Sequence, residues 1–166
     1  MTQAQENRES QRLATGFARK NCGYSLIEAL FTVMIGLILA AIAVPSVNSG
    51  LNLYRLSGAV NASTWAVQST RYQALMAGYP YQVVFTAATN SYQIQDLPVG
   101  AATYANVGTS VPLSGSPTTL NQDTTLRFLP NGSVSAPVGA LAFAITYKGS
   151  TKTITVTTYG NVKVTP

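Results

Sequence analysis

Gly23-Tyr24-Ser25-Leu26-Ile27-Glu28-Ala29-Leu30-Phe31-Thr32-Val33-Met34-Ile35-Gly36-Leu37-Ile38-Leu39-Ala40-Ala41-Ile42-Ala43-Val44-Pro45 is the stretch on which the fold turns. No charged residue occurs from Ala29 to Val47, a run of 19. As a helix this run rises about 28 Å, close to the thickness of a bilayer's hydrocarbon core. A small domain rarely buries so long a helix on all sides, so the run reads as membrane-spanning rather than as a core helix. Ahead of it, Met1 to Asn21 are polar and carry Arg8, Arg12, Arg19 and Lys20 against Glu6 and Glu9; the next basic residue after it is Arg55. Positive flanks stay cytoplasmic, so everything after Pro45 is expected outside the cytoplasm. The run is longer than a secretory signal's apolar region. The small-x-small triplet Ala41-Ile42-Ala43 lies inside it rather than after it, so the segment is expected to be retained.

Glu28 is the residue that needs a reason. A carboxylate within an apolar span costs about 2.5–3.5 kcal/mol on insertion scales, less near the headgroups. It either reaches the headgroups and does nothing more, or pairs with a positive group from another chain. This sequence offers such a group if the backbone is cut before Tyr24, which exposes an α-amino group at the depth of a neighbour's Glu28.

Composition removes many alternatives. The 166 residues amount to about one domain, with 46% apolar and only 9% charged residues, enough apolar content for a core. There is no His, and Cys22 is the sole cysteine. A His base, a His-ligated metal and an intrachain disulfide are thereby excluded. After Glu28 the only carboxylates are Asp96 and Asp123, whose spacing suggests no acid–base pair. No Gly-rich phosphate loop is present. Neither catalysis, nor a metal, nor a cofactor is expected.

The block Gly23-Tyr24-Ser25-Leu26-Ile27-Glu28, behind a basic leader and ahead of an apolar run, resembles the cleavage and methylation signature of type IV pilins and type II secretion pseudopilins. The resemblance implies that prepilin peptidase cuts between Gly23 and Tyr24, that Tyr24 becomes the methylated first residue, and that Glu28 is the fifth. Gly36 and Pro45 fall where the family places helix-weakening residues. The Tyr at the first mature position replaces the commoner Phe, and the 23-residue leader is longer than many.

Beyond Pro45 the pattern is helical and amphipathic, with Leu53, Leu56, Val60 and Val67 spaced by 3, 4 and 7. Pro45 is expected to kink the helix or let it unwind, and Gly50 and Gly58 to weaken it. The helix is expected to end near Ala77, with Gly78 as cap and Pro80 beyond. Trp65 is expected to anchor the helix onto the β-rich part, and Tyr72, Tyr79, Tyr81 and Tyr92 to be core or interface aromatics. From Tyr81 the period becomes two: Tyr81–Phe85 and Ser91–Gln95 read as strands around a Thr89-Asn90 turn. Pro98 to Thr119 reads as a long loop or irregular edge. Leu126–Leu129 leads into Asn131-Gly132, a strong hairpin signal. Leu141, Phe143, Ile145 and Tyr147 alternate with polar or small residues. Gly149-Ser150 then turns the chain into a strand with Ile154 and Val156 inward, and Gly160-Asn161 turns it into Val162–Val164.

The segments Leu126-Arg127-Phe128-Leu129-Pro130-Asn131-Gly132, Gly160-Asn161-Val162-Lys163 and Ala74-Leu75-Met76-Ala77-Gly78-Tyr79-Pro80 resemble the GspH/FimT group of minor pilins and pseudopilins. The expected fold is α+β: a long N-terminal helix, membrane-embedded in its first half, packed on a β-rich domain of antiparallel strands. The expected divisions are a cleaved leader 1–23, an assembly half 24–47, an amphipathic half 48–78 and a periplasmic domain 79–166. The implied role is that of a structural subunit of a type IV pilus or type II secretion pseudopilus, in the bacterial inner membrane and then in a filament. Its implied partners are prepilin peptidase, other pilin or pseudopilin subunits, an inner-membrane assembly platform and membrane lipid. DNA is the alternative partner. Six basic residues against two acids follow Val44, a net charge of +4, and Lys148, Lys152 and Lys163 form a basic patch if the last strands are adjacent. In the DNA-uptake subgroup the turn carries Gly-Arg-x-Arg. Here the two Arg positions are Asn161 and Lys163, which removes one charge and replaces a planar fork by a point charge. A membrane-anchored protein that never polymerises is the other alternative.

Overall fold

The computed structural model describes residues 23–113 and 118–166. The leader expected at 1–23 therefore lies outside the described residues, save for Gly23. Two compact units divide at Val44/Pro45.

Helix α1 runs from Leu26 to Ala77. In the first unit every described residue is exposed, from Gly23 to Val44. Leu26 is 85% exposed and Ile42 69%, so the apolar surface has no cover among the described residues. The helix is long and apolar enough to cross a membrane. Its helical run continues through Pro45, so the helix does not unwind there. Proline removes one backbone donor, so the Ala41 carbonyl loses its partner four residues on while the chain stays helical to either side. One turn on, Ser49 Oγ donates to the Pro45 carbonyl at 3.1 Å.

In the second unit the helix buries Leu56, Ala59, Val60, Ser63, Ala66, Val67, Thr70 and Ala74. These positions recur every three or four residues, one face of a 3.6-residue period. Leu56, Val60 and Val67 were expected; burying each contributes about 1.5–3 kcal/mol. The rest of the face is small. The two hydroxyls on this face are satisfied within the helix. Ser63 Oγ donates to the Ala59 carbonyl at 2.9 Å and Thr70 Oγ1 to the Ala66 carbonyl at 2.7 Å. Leu53, expected on this face, is 54% exposed. Trp65 is 60% exposed and Tyr72 63%, so neither anchors the β-rich part, contrary to expectation. Their spacing from the small-residue face puts them on the other side of the helix. The helix ends at Gly78, whose φ of 75° suits glycine and whose N–H bonds the Ala74 carbonyl at 3.2 Å.

Nine antiparallel strands follow among the described residues: β1 Tyr81–Thr86, β2 Ser91–Asp96, β3 Ala105–Pro112, β4 Thr119–Leu120, β5 Thr124–Phe128, β6 Val134–Val138, β7 Ala142–Tyr147, β8 Ser150–Val156 and β9 Val162–Thr165. One sheet has the order β3-β2-β1-β5-β6 and the other β4-β7-β8-β9. Register follows the alternation. Val83 faces Leu126 and Tyr81 faces Phe128 across β1–β5, while Phe143 faces Ile154 across β7–β8, all of them buried. Phe85 and Phe143 join the two sheets, with ring centroids 4.7 Å apart. The expected loop over Pro98–Thr119 contains strand β3. All eight of its residues are exposed, and backbone bonds to β2 hold it. No apolar alternation marks such an edge strand, because neither of its faces is covered.

Tyr79 and Tyr81 stack with centroids 5.3 Å apart and share a hydroxyl hydrogen bond of 3.2 Å. That bond, then burial and the nearby Asp96, push the Tyr81 phenol up to about 12. The neutral phenol is thus held in the folded state while the unfolded chain ionises near its ordinary value of 10. The contribution is intact below pH 10 and is lost as pH rises toward 12. The thermal unfolding midpoint is expected to fall across that window in the native chain, and Tyr81→Phe is expected to flatten this limb. Circular dichroism melts from pH 9 to pH 12 read both.

Candidate functional site

The N-terminal site is built on the first turn of α1. Gly23 to Ser25 precede the helix, and the Ala29 N–H bonds the Ser25 carbonyl at 3.1 Å, which makes Ser25 the capping residue. Glu28 then falls in the first helical turn, where the helix dipole favours a negative charge. The Ser25-x-x-Glu28 spacing is that of a capping box, so the same two residues that mark the segment in the sequence also start the helix. Tyr24 is 70% exposed and nothing crowds Gly23. The Gly23–Tyr24 bond thus lies exposed directly ahead of the helix. Thr32 Oγ1 returns to the Ala29 carbonyl at 2.9 Å, so the first exposed hydroxyl of the apolar run is satisfied within the helix. Gly36 lies mid-run, with nothing within 4 Å of where a Cβ would stand.

The C-terminal candidates lie on β7, β8 and β9, which are adjacent. Adjacency does not gather the three lysines. Lys148 sits in the β7–β8 turn with its Nζ 5.8 Å from the Tyr147 ring centroid. Lys152 shares the sheet face of buried Ile154 and Val156, and its Nζ donates to Ser57 Oγ on the helix at 3.5 Å. Lys163 pairs with Thr155, the opposite face of the same sheet. One lysine thus lines the helix and another points away from it.

The β8–β9 turn holds a feature that no sequence pattern marked. Gly160 has φ 79° and is buried. Its N–H bonds the Thr157 carbonyl at 2.8 Å, and the Asn161 N–H bonds Thr157 Oγ1 at 3.0 Å. A Cβ at Gly160 would stand 2.6 Å from both Cδ and Nε of Arg71 on α1. Arg71 and Gly160, 89 positions apart, meet with Gln68, Tyr72, Leu75, Asn161 and Val162 around a cavity of about 580 Å³.

With this geometry in place, residues 18–44 match a family model described as the prokaryotic N-terminal methylation motif. The chain carries that motif on a pilin-like fold. The match begins in the basic leader, contains the Gly23–Glu28 block and ends one residue before Pro45. The minor pseudopilin EpsH from the type 2 secretion system of Vibrio cholerae has a similar fold, with a TM-score of 0.50 at 14% identity over 65% of this chain and 95% of that one. The type IV minor pilin FimU of Pseudomonas aeruginosa aligns with a TM-score of 0.48 at 17% identity, over 66% of this chain and 91% of that one. No curated protein sequence matches the chain. The motif thus takes in the first part of α1, from Leu26 to Val44.

Gly160→Ala adds a methyl where both the backbone and Arg71 exclude it. The variant is expected to lose about 1–3 kcal/mol from the left-handed backbone alone. Thermal unfolding of the full chain in detergent, followed at a β-sheet wavelength, measures the loss.

Proposed function

We propose that this chain is a minor pilin or pseudopilin, a structural subunit of a type IV pilus or a type II secretion pseudopilus. One observation carries the reading: the methylation motif opens directly onto a helical segment whose entire surface is uncovered. Such a surface needs lipid, then the like surfaces of neighbouring subunits. The first half of α1 spans the bacterial inner membrane, with the basic leader cytoplasmic and the β-rich domain periplasmic. Prepilin peptidase cuts between Gly23 and Tyr24, and the new Tyr24 amine is methylated. An assembly platform in the membrane then moves subunits from lipid to filament. There Glu28 of one chain accepts from the Tyr24 amine of a neighbour, which offsets the cost of placing its charge in apolar surroundings and sets axial register. Gly36 and Pro45 are places where the helix adapts its backbone to that packing.

In this reading the functional divisions are 1–23, 24–47, 48–78 and 79–166. The chain is substrate for the processing enzyme and performs no reaction itself. The DNA-binding alternative loses its support, since Lys152 and Lys163 occupy opposite faces of one sheet.

Intact-mass measurement of protein from cells that contain prepilin peptidase separates this reading from a non-polymerising anchor. The expected mature chain begins at Tyr24 and carries one methyl group; a chain that retains residues 1–23 contradicts the proposal. Glu28→Ala is expected to leave cleavage intact and to reduce incorporation into sheared filaments by an order of magnitude or more, given about 2.5–3.5 kcal/mol at stake. Immunoblots of the sheared fraction read it.

A further inference from the structure

We propose that the cavity under the β8–β9 turn is a docking site for a carboxylate on a partner polypeptide. Arg71 supplies the charge. It is half-buried, its stem backs onto Gly160, and its Nε is buried without a hydrogen-bond partner among the described residues. The two acids after Pro45 are occupied elsewhere. Asp123 accepts from the Ala87 N–H at 2.7 Å, and Asp96 from the Tyr79 hydroxyl at 3.5 Å. A guanidinium held in place with no counter-charge from its own domain is set to receive one from outside.

The surroundings choose the ligand. Gln68 and Asn161 bring neutral amides, Tyr72 a hydroxyl, and Leu75 and Val162 apolar walls. One planar fork among neutral and apolar groups suits a single carboxylate with apolar neighbours. A nucleic-acid strand needs a row of cations, and the sheet does not provide one. Val162 lines the cavity, so Lys163 alternates to the other face of β9, and Lys152 is engaged with Ser57. About 580 Å³ accommodates an acidic side chain together with parts of its flanking residues. Gly160 is the enabling residue, because any side chain there displaces Arg71. The site shares no residue with the N-terminal segment, so its test stands apart from cleavage and filament assembly.

The experiment titrates the full ¹⁵N-labelled chain in detergent micelles with the blocked peptide acetyl-Leu-Asp-Leu-amide. The Arg71 Nε–H and Asn161 side-chain amide resonances are followed. Both are expected to shift and saturate, and the matched acetyl-Leu-Asn-Leu-amide is expected to leave them unmoved. Arg71→Gln is expected to weaken binding at least about tenfold. Asn161→Asp keeps Arg71 but adds a negative charge at the rim, and is expected to abolish binding with the rest of the spectrum unchanged. Acetyl-Leu-Leu with a free C-terminus separates the sources: tighter binding than the Asp peptide assigns the carboxylate to a partner's chain end, weaker binding to an acidic side chain. Equal shifts from the Asn peptide, unaltered binding by Arg71→Gln, or tighter binding of inorganic phosphate or of a single-stranded oligonucleotide overturns the proposal.

Discussion

An apolar helical surface left bare by all the described residues is the constraint from which the rest follows. From Leu26 to Val44 no side chain is covered, and most are Leu, Ile, Val, Phe, Met or Ala. Exposing such a surface to water costs on the order of 25 cal/mol for each Å² of apolar area, so the segment is stable only in lipid or against other helices. Backbone groups are satisfied within the helix, as a lipid environment demands. The single acid, Glu28, sits in the first turn, where the dipole of its own helix already favours a negative charge. The segment is thus suited to two environments in turn, first lipid and then a bundle of like helices.

The second half of the same helix solves a different problem. Its inward face mixes Leu56, Val60 and Val67 with Ala59, Ser63, Ala66, Thr70 and Ala74, all of them buried. Contacts between helix and second sheet include Arg55 Nη1 donating to Tyr147 Oη at 3.0 Å and Lys152 to Ser57. Large side chains, Trp65 and Tyr72 among them, are left on the outward face. Bulk outside and smallness inside is the reverse of a simple apolar-in rule.

Much of this was legible in the residues. Gly23–Glu28, the uncharged run and the Gly78 cap place the two ends of the helix because each is a local signal. The strands at Tyr81, Ser91, Phe143 and Ile154 announce themselves by alternation, since one face is buried. Strand β3 does not, because all eight of its residues are exposed and its reason for being extended lies in the backbone of β2. Trp65 misleads for a related cause: aromatic size suggests burial, but the period of the small residues decides which face turns inward. The Arg71–Gly160 contact joins residues far apart in the chain and leaves no periodic trace. The lysines of the last strands look like a cluster in sequence, yet strand alternation sends Lys152 and Lys163 to opposite faces.

The central claim is that other helices cover the bare segment after lipid does. Single cysteines placed in turn at positions 36 to 44, in a chain that also carries Cys22→Ser, test it directly by oxidative cross-linking in intact cells. The account predicts cross-links to a second subunit that recur with a helical period and disappear when the Gly23–Tyr24 bond is made uncleavable. A membrane-located chain that forms no such cross-links at any of these positions contradicts it.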